Sequence, residues 1–230
     1  MTAANGFTVR LATSSDRAAT FRVCLVTGDE GADATALYKT DPDALGKRWV
    51  GPYLDLQPEL AFVLEDPHGR VVGYCLGALD SEAFARRLRN DYLPPLQAIH
   101  ADPASAAPPH DEMQWTMEQR VYHELHDVSA GEPPPGLDLT KYPSHLHIDL
   151  APEAQGYGQG RRMMLAMLAA LREHGSAGAY LQMHEGNMRA RRFYAKLGFE
   201  VLTLSGQGTK AEDGGGGGSG GEFYLGIRFR

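Results

Sequence analysis

The chain has 230 residues, 43% of them hydrophobic and 22% charged, and a formal net charge of −7. That length supports one generous domain or two small ones, and the composition excludes a disordered chain. The acidic balance argues against a nucleic-acid partner, and without an 18-residue apolar run there is no candidate membrane span.

Phe7 to Ala12 alternates and reads as a strand. Ser14, Ser15 or Asp16 is placed to cap a helix running to about Val26, which Gly28 to Gly31 breaks. Asp41-Pro42-Asp43 resembles the start of a second helix, carrying Leu45, Trp49 and Val50 toward Gly51-Pro52. Leu60 to Glu65 and Arg70 to Leu79 are apolar runs separated by Asp-Pro-His-Gly, the pattern of an antiparallel hairpin. Gly73 and Gly77 within the second run suggest a bulge or a close backbone approach. Cys24 and Cys75 lie in apolar segments and read as buried thiols of a reducing compartment. The first residues show no basic leader and no long apolar core, so the cytoplasm is the expected location.

Residues 80–140 read as a helical insertion. Ser81 to Leu88 is helical, Pro94-Pro95 follows, and the Pro/Ala-rich stretch after it reads as a loop. Asp111 to His126 is an amphipathic helix with Met113, Met117, Val121 and Leu125 at four-residue spacing, widened by Trp115 and Tyr122. Either the insertion only covers a hydrophobic face or it shapes a ligand pocket.

Residues 144–151 form a strand with Leu146, Ile148 and Leu150 on one face and His145, His147 and Asp149 on the other. Gln155-Gly156-Tyr157-Gly158-Gln159-Gly160 follows, then a helix to about Glu173 with Met164, Met167, Leu168 and Leu171 at core spacing. Ala179 to His184 is a strand, expected to run parallel to 144–151. Asn187 is placed to cap a helix closed by Gly198, Phe199 to Leu204 is a strand, and Phe223 to Phe229 is the last strand. The segment 214–221, Gly-Gly-Gly-Gly-Gly-Ser-Gly-Gly, reads as a flexible loop of a long hairpin.

The chemistry gathers where strand 144–151 meets the glycine turn. Glycines let the backbone approach a ligand, and the unpaired amides at the start of a helix favour an anion; a diphosphate is the natural occupant. The spacing is neither that of a Walker A loop nor a clean GxGxxG fingerprint. A zinc reading of His145, His147 and Asp149 fails on spacing, since alternate strand positions lie about 7 Å apart and a further ligand is missing. No metal is expected.

Here the chain resembles the GNAT acetyltransferases. Gln155, Gly158 and Gly160 match that family's phosphate loop, Gln/Arg-x-x-Gly-x-Gly/Ala. Asn187, Ala190, Phe193, Tyr194, Gly198 and Phe199 match its later helix, Asn-x-x-Ala-x-x-Phe-Tyr-x-x-x-Gly-Phe. The segment Tyr142 to Gly158 and the long insertion are similar, more narrowly, to bacterial relatives of the acetyltransferase-like C-terminal domain of human O-GlcNAc hydrolase. The resemblance implies a single α/β (α+β) domain with a central mixed, mostly antiparallel sheet flanked by helices and the insertion between strands three and four. It also implies acetyl-CoA as cofactor and acetyl transfer to a primary amine, on a small molecule or a protein lysine, in a monomer or weak homodimer. Some relatives of the narrower group are thought to lack activity, so the alternative is a non-catalytic acetyl-CoA-binding module.

The same resemblance implies roles. Backbone groups of Ile148 and Leu150 would hold the pantetheine arm. Amides from Gly156 through Tyr157, Gly158, Gln159 and Gly160 to Arg161, beside Gln155, would hold the diphosphate. Asn187 would reach the cofactor or cap its helix, and one of Arg161, Arg162, Arg191 or Arg192 would meet the 3′-phosphate. Tyr194 would protonate the departing thiolate. The acceptor amine must lose a proton, and Asp149, His147 and His184 are the candidate bases, brought together if the faces of the two parallel strands meet.

Overall fold

The computed structural model describes residues 6–106, 112–204 and 222–229. Seven strands form one sheet in the order β1-β2-β3-β4-β5-β7-β6. They are β1 (Thr8–Leu11), β2 (Ala61–Glu65), β3 (Val71–Ala78), β4 (Ser144–Leu150), β5 (Gly178–His184), β6 (Glu200–Val201) and β7 (Glu222–Arg228). Every neighbouring pair is antiparallel except β4 and β5. The Gly-rich segment 214–221 lies outside the described residues.

Strand β3 is apolar at every position because both of its faces are covered, and all eight residues are buried. On one face Val72 and Cys75 join the core with Met163, Met164, Met167 and Leu171 of α7 (Gln159–Glu173). On the other, Tyr74 and Leu76 pack with Phe21, Cys24 and Leu25 of α1 (Arg17–Val26). The two glycines of β3 have separate reasons. The register slips by one residue beside Gly73, so Leu64 pairs with Gly73 while Glu65 pairs with Val71. At Gly77 a Cβ would lie 2.6 Å from the Met167 sulfur, so α7 packs directly on the bare backbone.

Between α1 and β2 lie α2 (Ala44–Trp49) and α3 (Gly51–Leu56). The Gly51-Pro52 step does not end the helical path; proline occupies the first turn of α3, where its missing N–H has no intrahelical acceptor to lose. In the insertion the same rule applies. Helix α4 (Ser81–Arg87) runs through a wide π turn, residues 88–92, into α5 (Leu93–Ile99), and Pro94-Pro95 sits in the opening turn of α5. Helix α6 begins at Met117, not near residue 111, because Thr116 accepts from the amide of Gln119, whose side chain returns to Thr116. Val121 and Leu125 are therefore buried while Met113 and Met117 are exposed. The insertion packs as a third apolar cluster, with Phe84, Leu88, Leu93 and Leu125 against Leu56 of α3 and Ala78 of β3.

Strand β6 is two residues long, where a strand over 199–204 was expected. It follows α8 (Met188–Ala195), which Asn187 caps by accepting from the Ala190 amide at 3.0 Å. No helix among the described residues is long and apolar enough to cross a membrane.

Candidate active site

The parallel pair β4–β5 is registered at only two positions, Ser144 with Ala179 and His145 with Tyr180. Beyond them the strands part. Strand β5 stays paired with β7 along its whole length, and β4 stays paired with β3 from residue 145 to 150. The Ala151 amide donates to Val72 at 2.9 Å, which fixes the alternation: main-chain groups of 147 and 149 point to β3, those of 148 and 150 into the gap. The Leu150 carbonyl there already accepts from Gln155 Nε2 at 2.9 Å, so Gln155 braces the mouth of the gap.

At that mouth the chain turns through Gly156 (φ +86°) and Gly158 (φ +74°). A Cβ on either would meet nothing within 4 Å, so bare backbone faces open space. The amides of residues 156–158 have no internal acceptor among the described residues, and those of Gln159, Gly160 and Arg161 open α7, where no earlier helical carbonyl exists for them. The donor set and the aligned helix suit a diphosphate. Residues 148–150, Gln155, Gly156, Gly158, Gln159, Gly160, Arg161 and Asn187 all line the resulting cleft of about 520 Å³. Tyr157 does not; its exposed ring stacks on Phe7 at 6.4 Å. Arg191 does not either; its guanidinium sits 5.6 Å from the Phe223 ring, and Arg162 turns away to Gln159 Oε1 at 2.6 Å. Arg189 lines the cleft instead.

Through the gap this cleft joins a second of about 470 Å³ on the other face of the sheet, lined by His147, Asp149, Gln182, His184 and Trp49 among others. Tyr194 lines both. Its ring packs among Phe193 and Phe199, and its hydroxyl has no hydrogen-bond partner among the described residues. Burial first, then the nearby Asp149 and Cys75, push its pKa well above the ordinary tyrosine value, so it stays protonated at neutral pH.

Asp149 and His147 of β4 find their partner on β3, not on β5. Tyr74 lies directly across from Asp149 in the ladder and donates its hydroxyl proton to Asp149 Oδ2 at 2.5 Å. His147 Nε2 lies 2.8 Å from the same oxygen and 3.2 Å from the tyrosine oxygen. Burial above all, with the neighbouring Asp149 charge, raises the Tyr74 pKa and keeps it a donor. A carboxylate only accepts, so His147 carries its proton on Nε2 and leaves Nδ1 as a lone pair with no partner among the described residues. His184 stands apart on the opposite wall, its Nδ1 accepting from the Gly186 amide at 3.2 Å. The parting of β4 from β5 beyond His145 leaves His147 and His184 without a shared ladder position.

His145 is structural. Ser81 Oγ donates to the Pro143 carbonyl and so accepts from His145 Nδ1 at 2.8 Å, while His145 Nε2 receives the Tyr53 hydroxyl at 2.9 Å. With both nitrogens engaged and the ring against Tyr53 and Phe84, burial lowers its pKa to about 4. No group of three or more His, Cys, Asp or Glu among the described residues is arranged to hold a metal. A wider groove of about 860 Å³ lies between α7 and the β6–β7 edge, but its charged groups, Arg172, Glu200 and Arg228, include no histidine and no tyrosine pair able to trade protons.

Comparison with known proteins bears on the fold and the family. The model of the Acetyltransferase (GNAT) family matches residues 132–199, which contain the gap, the glycine turn and Tyr194. The solved structure of SsHAT is 33% identical, covers 97% of this chain and 98% of its own, and superposes with a TM-score of 0.77. The chain belongs to the GNAT acetyltransferase family. Protein O-GlcNAcase of Rattus norvegicus is 26% identical over 201 residues, 87% of this chain, and the Mus musculus protein matches equally. The GNAT chain spans about a fifth of the length of these curated relatives. The structure of yncA from Salmonella typhimurium with its cofactor acetyl-CoA shares the fold at 16% identity and a TM-score of 0.52, covering 97% of this chain and 94% of its own.

Sequence reasoning did not find three site residues. Tyr74 needs the β3–β4 register, which pairs it with a residue 75 positions away. Glu30, between two clefts, lay in a stretch read only as a helix breaker. Arg189 differs from Arg191 only in which side of α8 it occupies.

Proposed function

We propose that this GNAT domain is an acetyl-CoA-dependent N-acetyltransferase acting on a primary amine by direct attack, without a covalent enzyme intermediate. The observation that carries the reading is the gap between β4 and β5, with unpaired main-chain donors at one mouth and the Tyr74–Asp149–His147 group at the other. Acetyl-CoA in this gap supplies an activated thioester.

The residues divide the work. Main-chain groups of Ile148 and the amide of Leu150 offer an extended ligand the bonds a neighbouring strand would offer. The amides from Gly156 to Arg161 hold phosphate oxygens, with Arg161 and Arg189 adding charge at the rim. Histidine 147 takes the amine proton on Nδ1, and Asp149, itself fixed by Tyr74, stabilises the imidazolium that forms. Tyr194 Oη–H donates to the departing sulfur. Both cysteines are held as neutral thiols by burial, so no thiolate is at hand for a covalent route; Cys24 is pushed up to about 12.

The test is release of free CoA from acetyl-CoA with a panel of primary amines. Release that requires both the enzyme and an amine supports the reading. A rise in melting temperature with acetyl-CoA but no release with any amine refutes transfer and leaves a non-catalytic acetyl-CoA-binding module.

A further inference from the structure

The amine-side cleft has a charge pattern the proposed transfer step does not need. Asp149 serves the base, yet a second carboxylate, Glu30, lines this cleft where it meets the cofactor cleft; the arginines Arg161 and Arg189 line the cofactor cleft, and no lysine or arginine among the described residues lines this one. Glu30 has no hydrogen-bond or ion-pair partner among the described residues. It sits at the tip of a two-residue turn closed by Asp29 and Ala32, whose amides and carbonyls bond reciprocally at 3.1 and 2.7 Å. Its φ of +50° is the only positive value at a non-glycine among the described residues, so the turn places an exposed Glu30 at the cleft at a conformational cost. The hydroxyl of Tyr194, nine-tenths buried and unpartnered, opens into the same space and marks it as a place for a ligand. Leu45 and Trp49 line the same cleft and give its wall an apolar stretch; Trp49 keeps one face under Arg48 at 4.1 Å and is 38% exposed.

From this we infer that the acceptor is an aliphatic amine carrying a second positive charge, and that Glu30 holds that charge while the reacting amine lies at His147. The inference rests on the transfer reading above. A neutral amine would gain nothing from Glu30, and an acidic acceptor would be repelled by two unneutralised carboxylates. An alkyl chain along Leu45 and Trp49 with a cation at its far end satisfies each feature of the cleft.

The probes are 1,5-diaminopentane, pentylamine and Nα-acetyl-lysine methylamide, with the wild type, Glu30→Gln and Glu30→Asp. The wild type is expected to favour the diamine over pentylamine in kcat/KM by about fivefold, after correction for two equivalent amines. Glu30→Gln brings that ratio to about one, and Glu30→Asp, which keeps the charge, restores a preference. Equal use of diamine and monoamine by the wild type, an unchanged ratio in Glu30→Gln, or best use of the singly charged lysine derivative overturns the inference. Calorimetric titration of the same amines into the protein with CoA reads binding without turnover. A Glu30-dependent diamine preference there with no acetylation sinks the transfer reading alone, whereas acetylation without that preference sinks this inference alone.

Discussion

The half-buried histidine that ties the insertion to the sheet makes a measurable prediction. His145 titrates near 4 in the folded chain against an ordinary 6.5. The unfolded chain therefore takes up a proton first as pH falls. The contribution is whole above about pH 6.5 and is lost as pH drops toward 4, to a ceiling of about 3 kcal/mol. At pH 5 the loss is about 2 kcal/mol for a fully shielded ring, and about 1–2 kcal/mol once solvent reaching the half-buried imidazole is allowed for. In His145→Gln this titration vanishes, but the Ser81 and Tyr53 hydroxyls lose their partner, which costs about 1–3 kcal/mol at neutral pH. Urea unfolding at pH 7.5 and pH 5.0, followed by circular dichroism, should show the wild type more stable at the higher pH and the two proteins converging at the lower. Parallel loss of stability in both proteins would mean the ring is not held neutral, and the assigned bonds to Ser81 and Tyr53 would be wrong.

Other substitutions separate grip from chemistry. Gly158→Ala forces a side chain into a left-handed backbone at about 1–2 kcal/mol, yet its methyl meets no protein atom; thermal denaturation should show a small drop in Tm and loss of the upward shift with acetyl-CoA. Tyr194→Phe should lower kcat by about a hundredfold with the acetyl-CoA-induced Tm shift retained, and equal loss of both would reassign the hydroxyl to binding. Tyr74→Phe removes a charge-assisted bond to Asp149, so kcat should fall about tenfold or more with KM for acetyl-CoA nearly unchanged; a change confined to KM would refute its link to the base.

The elements with strong periodicity were legible. The β2–β3 hairpin, β4, α7 and β5 follow from apolar patterning and from turn residues, because burial on defined faces leaves few alternatives. The helices that open on prolines were not legible. Pro52, Pro94 and Pro95 each lie in a first helical turn, and only tertiary contacts with Leu56, Leu93 and the neighbouring cluster decide that a helix forms there. The glycine turn was legible because its donors are consecutive backbone amides. The Tyr74–Asp149–His147 group was less so, since Asp149 and His147 stand on alternate positions of one strand while the residue that bonds Asp149 is 75 positions away from it, on a strand whose register slips next to it.

The sheet is in effect two sheets, four strands and three, sharing a hinge two rungs wide. One half carries the turn with Glu30, the insertion, the glycine turn and the Tyr74–Asp149–His147 group; the other carries β5 and leads into the helix with Tyr194. A ligand lying in this seam touches both halves at once, so the two rungs set how far apart its walls stand.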